Sequence, residues 1–213
     1  MHDPVATKLL GQDPARQRVV GPDGIVSDDG ELLTYETDGL TKLRSKPAVT
    51  VLPTSADQVQ GIVRQCHTAG VPFVARGQGT GLSGGAMPHP DGVLIVMTRM
   101  NRILDIDLPN QRITVEPGVM NLDVTKAVAP EGYYYAPDPS SQVICSIGGN
   151  LAENSGGAHC LKYGFTVPNR GHLATPEALV GLARRGEELG FDSIQTGDHI
   201  VVPNRIVNLV IAG

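Results

Sequence analysis

Apolar and polar positions recur with two different periods along this 213-residue chain, and the changes of period mark its elements. PAVTVLP (47–53) is a β-branched run closed by prolines and reads as a strand. Ser55 and Gln58 then stand three apart, as in a capping box. Val59, Ile62, Val63 and Cys66 follow at i, i+3, i+4 and i+7, one face of a helix. Gly70 suits the left-handed residue that ends such a helix, and Pro72 prevents its continuation. VPFVA (71–75) is the next strand, so 47–75 reads as a β–α–β unit in which Cys66 packs on the buried helix face. GVLIVMTR (92–99) is another strand, and ILDID (103–107) and RITVEPG (112–118) alternate on either side of a Pro-Asn turn. LDVTKAVAPEG (122–132) is a short helix ending near Gly132.

Both ends have a different texture. Residues 1–46 are polar and broken by Pro and Gly, with short helices expected at 5–10 and 14–19 and a loop without chemistry at 27–39. They read as an N-terminal packing arm. Beyond 167, Thr175 is a helix N-cap with Pro176 at the first helical position. Leu179, Leu182, Ala183 and Gly186 line one face of that helix, Leu189 continues the apolar side, and Gly190 ends it. FDSIQTGDHIVVP (191–203) reads as a strand and the loop after it. The tail IVNLVIAG (206–213) is apolar with nothing evident to cover it.

Composition narrows the function. Gly (26) and Pro (16) together make about a fifth of the chain, against a usual share of roughly 12%. With no G-X-Y period, that surplus means many turns or backbone that approaches a ligand closely. The net charge of −5 offers no cationic surplus for nucleic acid, and the absence of Trp disfavours stacking platforms. Cys66, Cys145 and Cys160 are too few and scattered for a disulfide framework, and no spacing suggests a metal or iron–sulfur site. The first residues lack a secretory pattern and no apolar run is long enough to span a membrane, so a cytoplasmic protein is expected.

The glycines concentrate in two segments. RGQGTGLSGGA (76–86) follows directly on a strand and carries Gly77, Gly79, Gly81, Gly84 and Gly85. Successive backbone N–H groups in one concavity can hold a diphosphate without side-chain charge, and glycine lets the backbone come close enough. Thr80 and Ser83 add hydroxyl donors. The spacing is neither a Rossmann fingerprint nor a Walker A motif, and a merely mobile loop is the alternative. The second segment, 137–165, holds Gly148, Gly149 and Asn150 and then Asn154, Ser155, Gly156 and Gly157, pairing small residues with amides suited to a ribose or heterocycle edge. Two such segments imply one extended ligand held from both sides, a dinucleotide rather than a small anion. His159 could serve as a base, although a histidine beside a glycine pair is more often structural.

These residues resemble a known family. PAVTVLPTSADQVQGIVRQCHTAGVPFVARGQGTGLSGGA (47–86), TRMNRILDID (98–107), VEPG (115–118) and PDPSSQVICSIGGNLAENSGGAHCLKYGFT (137–166) are similar to the FAD-linked oxidases of the vanillyl-alcohol oxidase or PCMH type, in the branch of the glycolate oxidase large subunit and D-lactate dehydrogenase. The resemblance implies an α+β fold with a PCMH-type FAD-binding domain over 47–167. It also implies hydride transfer from a 2-hydroxy acid to FAD, and partner oxidase subunits that include an iron–sulfur protein. In that reading Arg76, Gly77, Gln78, Gly79, Thr80, Gly81, Ser83, Gly84 and Gly85 wrap the pyrophosphate. Pro139, Ser140 and Ser141 lie near the flavin, and Ser146, Gly149, Asn150 and Asn154 contact the rest of the cofactor. Thr80 stands where some relatives attach FAD through a histidine, which implies non-covalent FAD.

The family's remaining strands and its substrate-binding cap map to nothing in this chain, so the FAD-binding domain is expected to be incomplete and no catalytic residue is assigned. Residues 167–206 instead resemble the opening of a luciferase-like, F420- or FMN-dependent monooxygenase, a (β/α)8 barrel, with Asp198 and His199 at a strand end. On that basis 168–213 is a βα fragment of a barrel type. The alternatives to a 2-hydroxy-acid oxidoreductase fragment are a monooxygenase fragment and an inactive fused or truncated reading frame.

Overall fold

The structure is a computed structural model and describes residues 19–157, 159, 164–167, 175–189, 193–196, 199–201 and 208–211. The helices expected at 5–10 and, apart from its last residue, 14–19 lie outside them.

The first sheet is ordered β1 (Ile25–Val26), β2 (Val49–Val51), β4 (Val93–Val96), β3 (Phe73–Arg76), with β2, β4 and β3 parallel and β1 antiparallel on the edge. The β–α–β reading of 47–75 holds, but β4 is inserted between its two strands. Burial gives the reason. All four residues of β4 are buried, as a central parallel strand requires, whereas β3 alternates between exposed and half-buried positions and takes the edge. The helix α2 (Ala56–Ala69) crosses this sheet. Ser55 caps it by accepting from Gln58 N–H, the Gln58 side chain accepts from Thr54 N–H at 2.7 Å, and Gly70 closes it at φ +65°. Ile62 and Cys66 turn into a core of Val49, Val51, Val71, Val93 and Ile95. Burial pushes the Cys66 thiol up to about 11, so it stays a neutral packing group at physiological pH.

The second sheet is the hairpin β5 (Ile103–Asp107) and β6 (Arg112–Val115), turned through Gln111 at φ +51°. The apolar tail is accounted for here: β10 (Asn208–Ile211) runs parallel to β6, on the edge that β5 leaves open. Ile113 and Val115 pack with Val124 and Val128 of α3 (Asn121–Val128), and with Ile147. The segment 27–39, read as loop, is partly helical. Residues 29–32 form α1 (Asp29–Leu32) because the Asp28 carboxylate accepts from Gly30 and Glu31 N–H at 2.9 and 3.1 Å. The second glycine segment contains α4 (Ile147–Ala152), capped by Ser146.

The third sheet is β7 (Gly164–Val167), β8 (Ser193–Thr196) and β9 (His199–Val201). Strands β7 and β8 are parallel across the helix α5 (Pro176–Glu188), with Thr175 as its N-cap, and β9 returns antiparallel. The single strand expected within 191–203 is therefore two. The strand ending at the expected 167/168 boundary pairs forward with the C-terminal piece. His199 opens β9, and Asp198 lies outside the described residues.

Candidate functional site

Strand β3 delivers the first glycine loop to the N-terminal end of α4, and the two enclose a cavity of about 600 Å³. That lies within the range of small-molecule and cofactor sites. The contact between its walls depends on glycine. A Cβ on Gly77 would stand 2.1 Å from Ser146 Oγ, so only hydrogen lets the loop lie against the cap of α4. Gly79 and Gly84 take φ of +71° and +80°, where an L side chain is strained.

Of the sequence-assigned residues, Gly77, Gln78, Gly79, Thr80, Gly81, Ser83 and Gly85 line the cavity from the loop side. Ser140, Ser141, Ser146, Gly149 and Asn150 line it from the other. Arg76, Gly84, Pro139 and Asn154 are not brought to its surface. Arg76 is instead a strut behind the loop. Its Nη1 donates to Thr37 O at 2.6 Å, and its guanidinium fills the space where a Gly79 Cβ would be. Burial lowers its pKa, and the nearby Asp38 carboxylate opposes that shift. Gly84 accepts from Met87 N–H in a turn, and Asn154 has φ +51° just beyond α4.

Donor accounting shows what the cavity can hold. The N–H groups of residues 78–86 donate to no backbone carbonyl among the described residues. Those at the start of α4 are already used: Ile147 N–H donates to Val119 O at 2.8 Å, Gly148 N–H to Pro117 O at 2.8 Å, and Gly149 N–H to Ser146 Oγ. The free anion-binding amides thus belong to the glycine loop, not to the helix terminus. Asn150 is 6% exposed, lines the cavity and leaves its Nδ2 without a partner. A buried orphan donor is costly unless a ligand satisfies it. A loop of free amides, a backbone that no Cβ may crowd and an orphan amide donor all fit a dinucleotide such as FAD.

Sequence reasoning missed several contributors. Glu153 lines the cavity and accepts from Ser83 Oγ at 2.5 Å. Its signal was available, since it is the one charged residue in 139–157. Cys145, 3% exposed, also lines the cavity. The segment 37–39, read as loop without chemistry, supports the glycine loop from behind. A Cβ on Gly39 would come within 2.7 Å of the Thr80 and Gly81 carbonyl oxygens. His159 is not at the cavity; its ring Nδ1 and its backbone N–H both engage Asp138, whose pKa is lowered by the imidazole. Among the described residues no group of three His, Cys, Asp or Glu could hold a metal, and no helix is long and apolar enough to cross a membrane.

Comparison with known proteins agrees with this geometry. Residues 47–169, more than half of the chain, match the family described as FAD binding domain. The glycolate oxidase subunit GlcD of Escherichia coli K12 is 55% identical over 154 residues, 72% of this chain and 31% of that protein. Its namesake from Bacillus subtilis is 42% identical over 149 residues, covering 70% and 32%. Among solved structures, an alkyldihydroxyacetonephosphate synthase superposes with a TM-score of 0.58 at 27% identity, over 64% of this chain and 30% of that one. The chain spans about a third of the length of these curated relatives. A glycine loop and a capped helix that meet without side chains between them, in a chain with these relatives, identify it as a member of the FAD-binding-domain family.

Proposed function

We propose that this chain is the FAD-holding portion of an oxidoreductase of the glycolate oxidase and D-2-hydroxy-acid dehydrogenase type. The observation that carries it is the cavity between the two glycine segments, with its free loop amides and the orphan Asn150 donor. Bound FAD supplies a hydride acceptor for the α-carbon of a 2-hydroxy acid; the protein binds, orients and tunes it. Backbone amides of the first glycine loop hold the diphosphate, Asn150 supplies a buried donor, and Arg76 and Gly39 hold the loop in shape. Cofactor attachment is non-covalent, with Thr80 offering only a hydroxyl. No residue of this chain is assigned as the proton acceptor. Further subunits, an iron–sulfur protein among them, complete the electron path, and the assembly is cytoplasmic.

The test is titration of the full chain with FAD. Quenched flavin fluorescence and a raised melting temperature are expected, with all flavin released on denaturation. A chain that neither quenches flavin nor gains stability refutes the reading, and flavin retained on the denatured polypeptide refutes non-covalent attachment. For 168–213, helix α5 and strand β8, which runs parallel to β7, support the reading as a βα fragment of barrel type. Limited proteolysis that cuts near 167 and leaves a stable core of about 47–166 is the expected signature of that division.

A further inference from the structure

One cavity side chain has the wrong charge for the ligand. The lining contains no lysine, arginine or histidine, and its only charged member is Glu153. This carboxylate reaches from the end of α4 across to the first loop. Oε2 accepts from Ser83 Oγ at 2.5 Å, and Oε1 lies 2.7 Å from the position of a Gly85 Cβ and 3.6 Å from that of Gly81. No cation pairs with it among the described residues. Nor does the helix compensate it, because a helix C-terminus carries partial negative charge. At the other end of the same loop the sign is reversed: the Arg76 guanidinium stands directly behind Gly79, within 2.2–2.7 Å of where a Cβ would be. Asp38 lies near that guanidinium, so the 77–80 end holds a cation with a carboxylate beside it, whereas the 81–85 end holds a carboxylate with no cation.

We infer that Glu153 sets the direction in which the dinucleotide lies. It repels the diphosphate from the 81–85 end and accepts hydrogen bonds there from neutral donors of the flavin half, hydroxyl or imide N–H. The diphosphate is left to the amides in front of Arg76. A carboxylate has about four acceptor sites, and Ser83 uses one, so acceptor capacity remains for the ligand. Glu153 is thus a specificity-determining residue, and this role rests on the FAD reading above.

The test uses the full chain and two half-ligands. ADP carries the diphosphate without the donors of the flavin half, and riboflavin carries those donors without phosphate. In Glu153→Gln, ADP is expected to bind about tenfold tighter, because a like charge a few ångströms from the diphosphate is gone. Riboflavin is expected to bind about threefold to tenfold more weakly, because charge-assisted hydrogen bonds are replaced by neutral ones. Glu153→Ala moves ADP the same way and serves if the glutamine variant does not fold. Ser83→Ala leaves ADP within about twofold of wild type, since the charge remains. Shifts of ADP and riboflavin in the same direction, no shift in either, or a Ser83→Ala effect equal to that of Glu153→Gln overturn the inference. Titration of wild type with FAD separates the two readings: a wild type that binds no FAD removes the proposed function and this role together. A wild type that binds FAD without opposite half-ligand shifts removes this role alone.

Discussion

Gly77 and Ser146 stand 69 positions apart, yet the cavity depends on their touching, and a double-mutant cycle isolates that contact. Gly77 does not take a positive φ, so Gly77→Ala carries no backbone penalty of that kind and acts by volume alone. The new Cβ stands 2.1 Å from Ser146 Oγ and 3.3 Å from Ser146 Cβ. The hydroxyl must rotate away, which gives up its bond to Gly149 N–H, and losing an N-cap costs about 1 kcal/mol. Crowding the remaining atoms of a buried contact adds about 1–3 kcal/mol. Gly77→Ala alone is therefore expected to cost about 3 kcal/mol, and Ser146→Ala alone about 1 kcal/mol. In the double variant Oγ is gone and only the 3.3 Å Cβ contact remains tight, so the total falls to about 2 kcal/mol. The coupling is then about 2 kcal/mol in favour of the pair, within the span measured for touching residues. Urea denaturation followed by circular dichroism, with unchanged m-values, reads all three. A double variant as unstable as the sum of its parents refutes the reasoning, since the clash would then lie elsewhere.

Three further outcomes are expected. Gly39→Ala drives a Cβ against the carbonyl oxygens of Thr80 and Gly81, backbone atoms that cannot rotate aside, so FAD affinity should fall about tenfold or more in a fluorescence titration. Glu116 is 4% exposed and is held by Arg102 Nη2 and Nε at 2.6 and 3.1 Å and by Arg102 N–H at 2.8 Å, which together lower its pKa. A depressed carboxylate contributes stability that is complete above its unfolded pKa of roughly 4.3 and is lost as pH falls through the lower folded value. Because Arg102 is largely exposed, Arg102→Ala should lower stability only modestly at pH 7, and the difference from wild type should vanish in acid; a constant difference down to pH 2 contradicts this. Cys66, fully buried with its thiol near 11, should resist iodoacetamide at pH 8 in the native protein and react once unfolded, as site-resolved mass spectrometry reports.

Much of this was legible in local pattern. The stripe of Ile62 and Cys66, the Ser55 cap and the Gly70 terminus define α2 without tertiary information, because each is a short-range effect. The place of β4 between β2 and β3 was not, since strand order depends on which apolar run is buried on both faces. Helix α4 is not legible in the pattern of the second glycine segment, because two glycines inside a helix each cost about 1 kcal/mol. Tertiary contact overrides that cost: a Cβ on Gly148 would lie 2.8 Å from Pro117 Cβ, so glycine is required there whatever the local structure. The glycine loop was found from its composition. Arg76 was assigned to the ligand side because sequence does not reveal which way a strand-end side chain turns; here it turns toward Thr37. Glu153 stands out by its charge but carries no local sign of its place in the cavity, because its contact with Ser83 spans 70 positions.

The meeting of the two glycine segments also ties cofactor supply to the amount of folded protein. Neither wall of the cavity exists until residues 69 apart are brought together, so an unfolded chain offers nothing for FAD to bind. A ligand that recognises only the native state stabilises it by RT ln(1 + [L]/Kd), about 2.7 kcal/mol at a hundred times Kd. That is comparable to the cost expected for Gly77→Ala. Variants weakened at the glycine loop are therefore doubly exposed in flavin-poor cells: they start less stable and gain less from the cofactor. The flavin level becomes a determinant of how much of this protein survives proteolysis, apart from any part it plays in turnover.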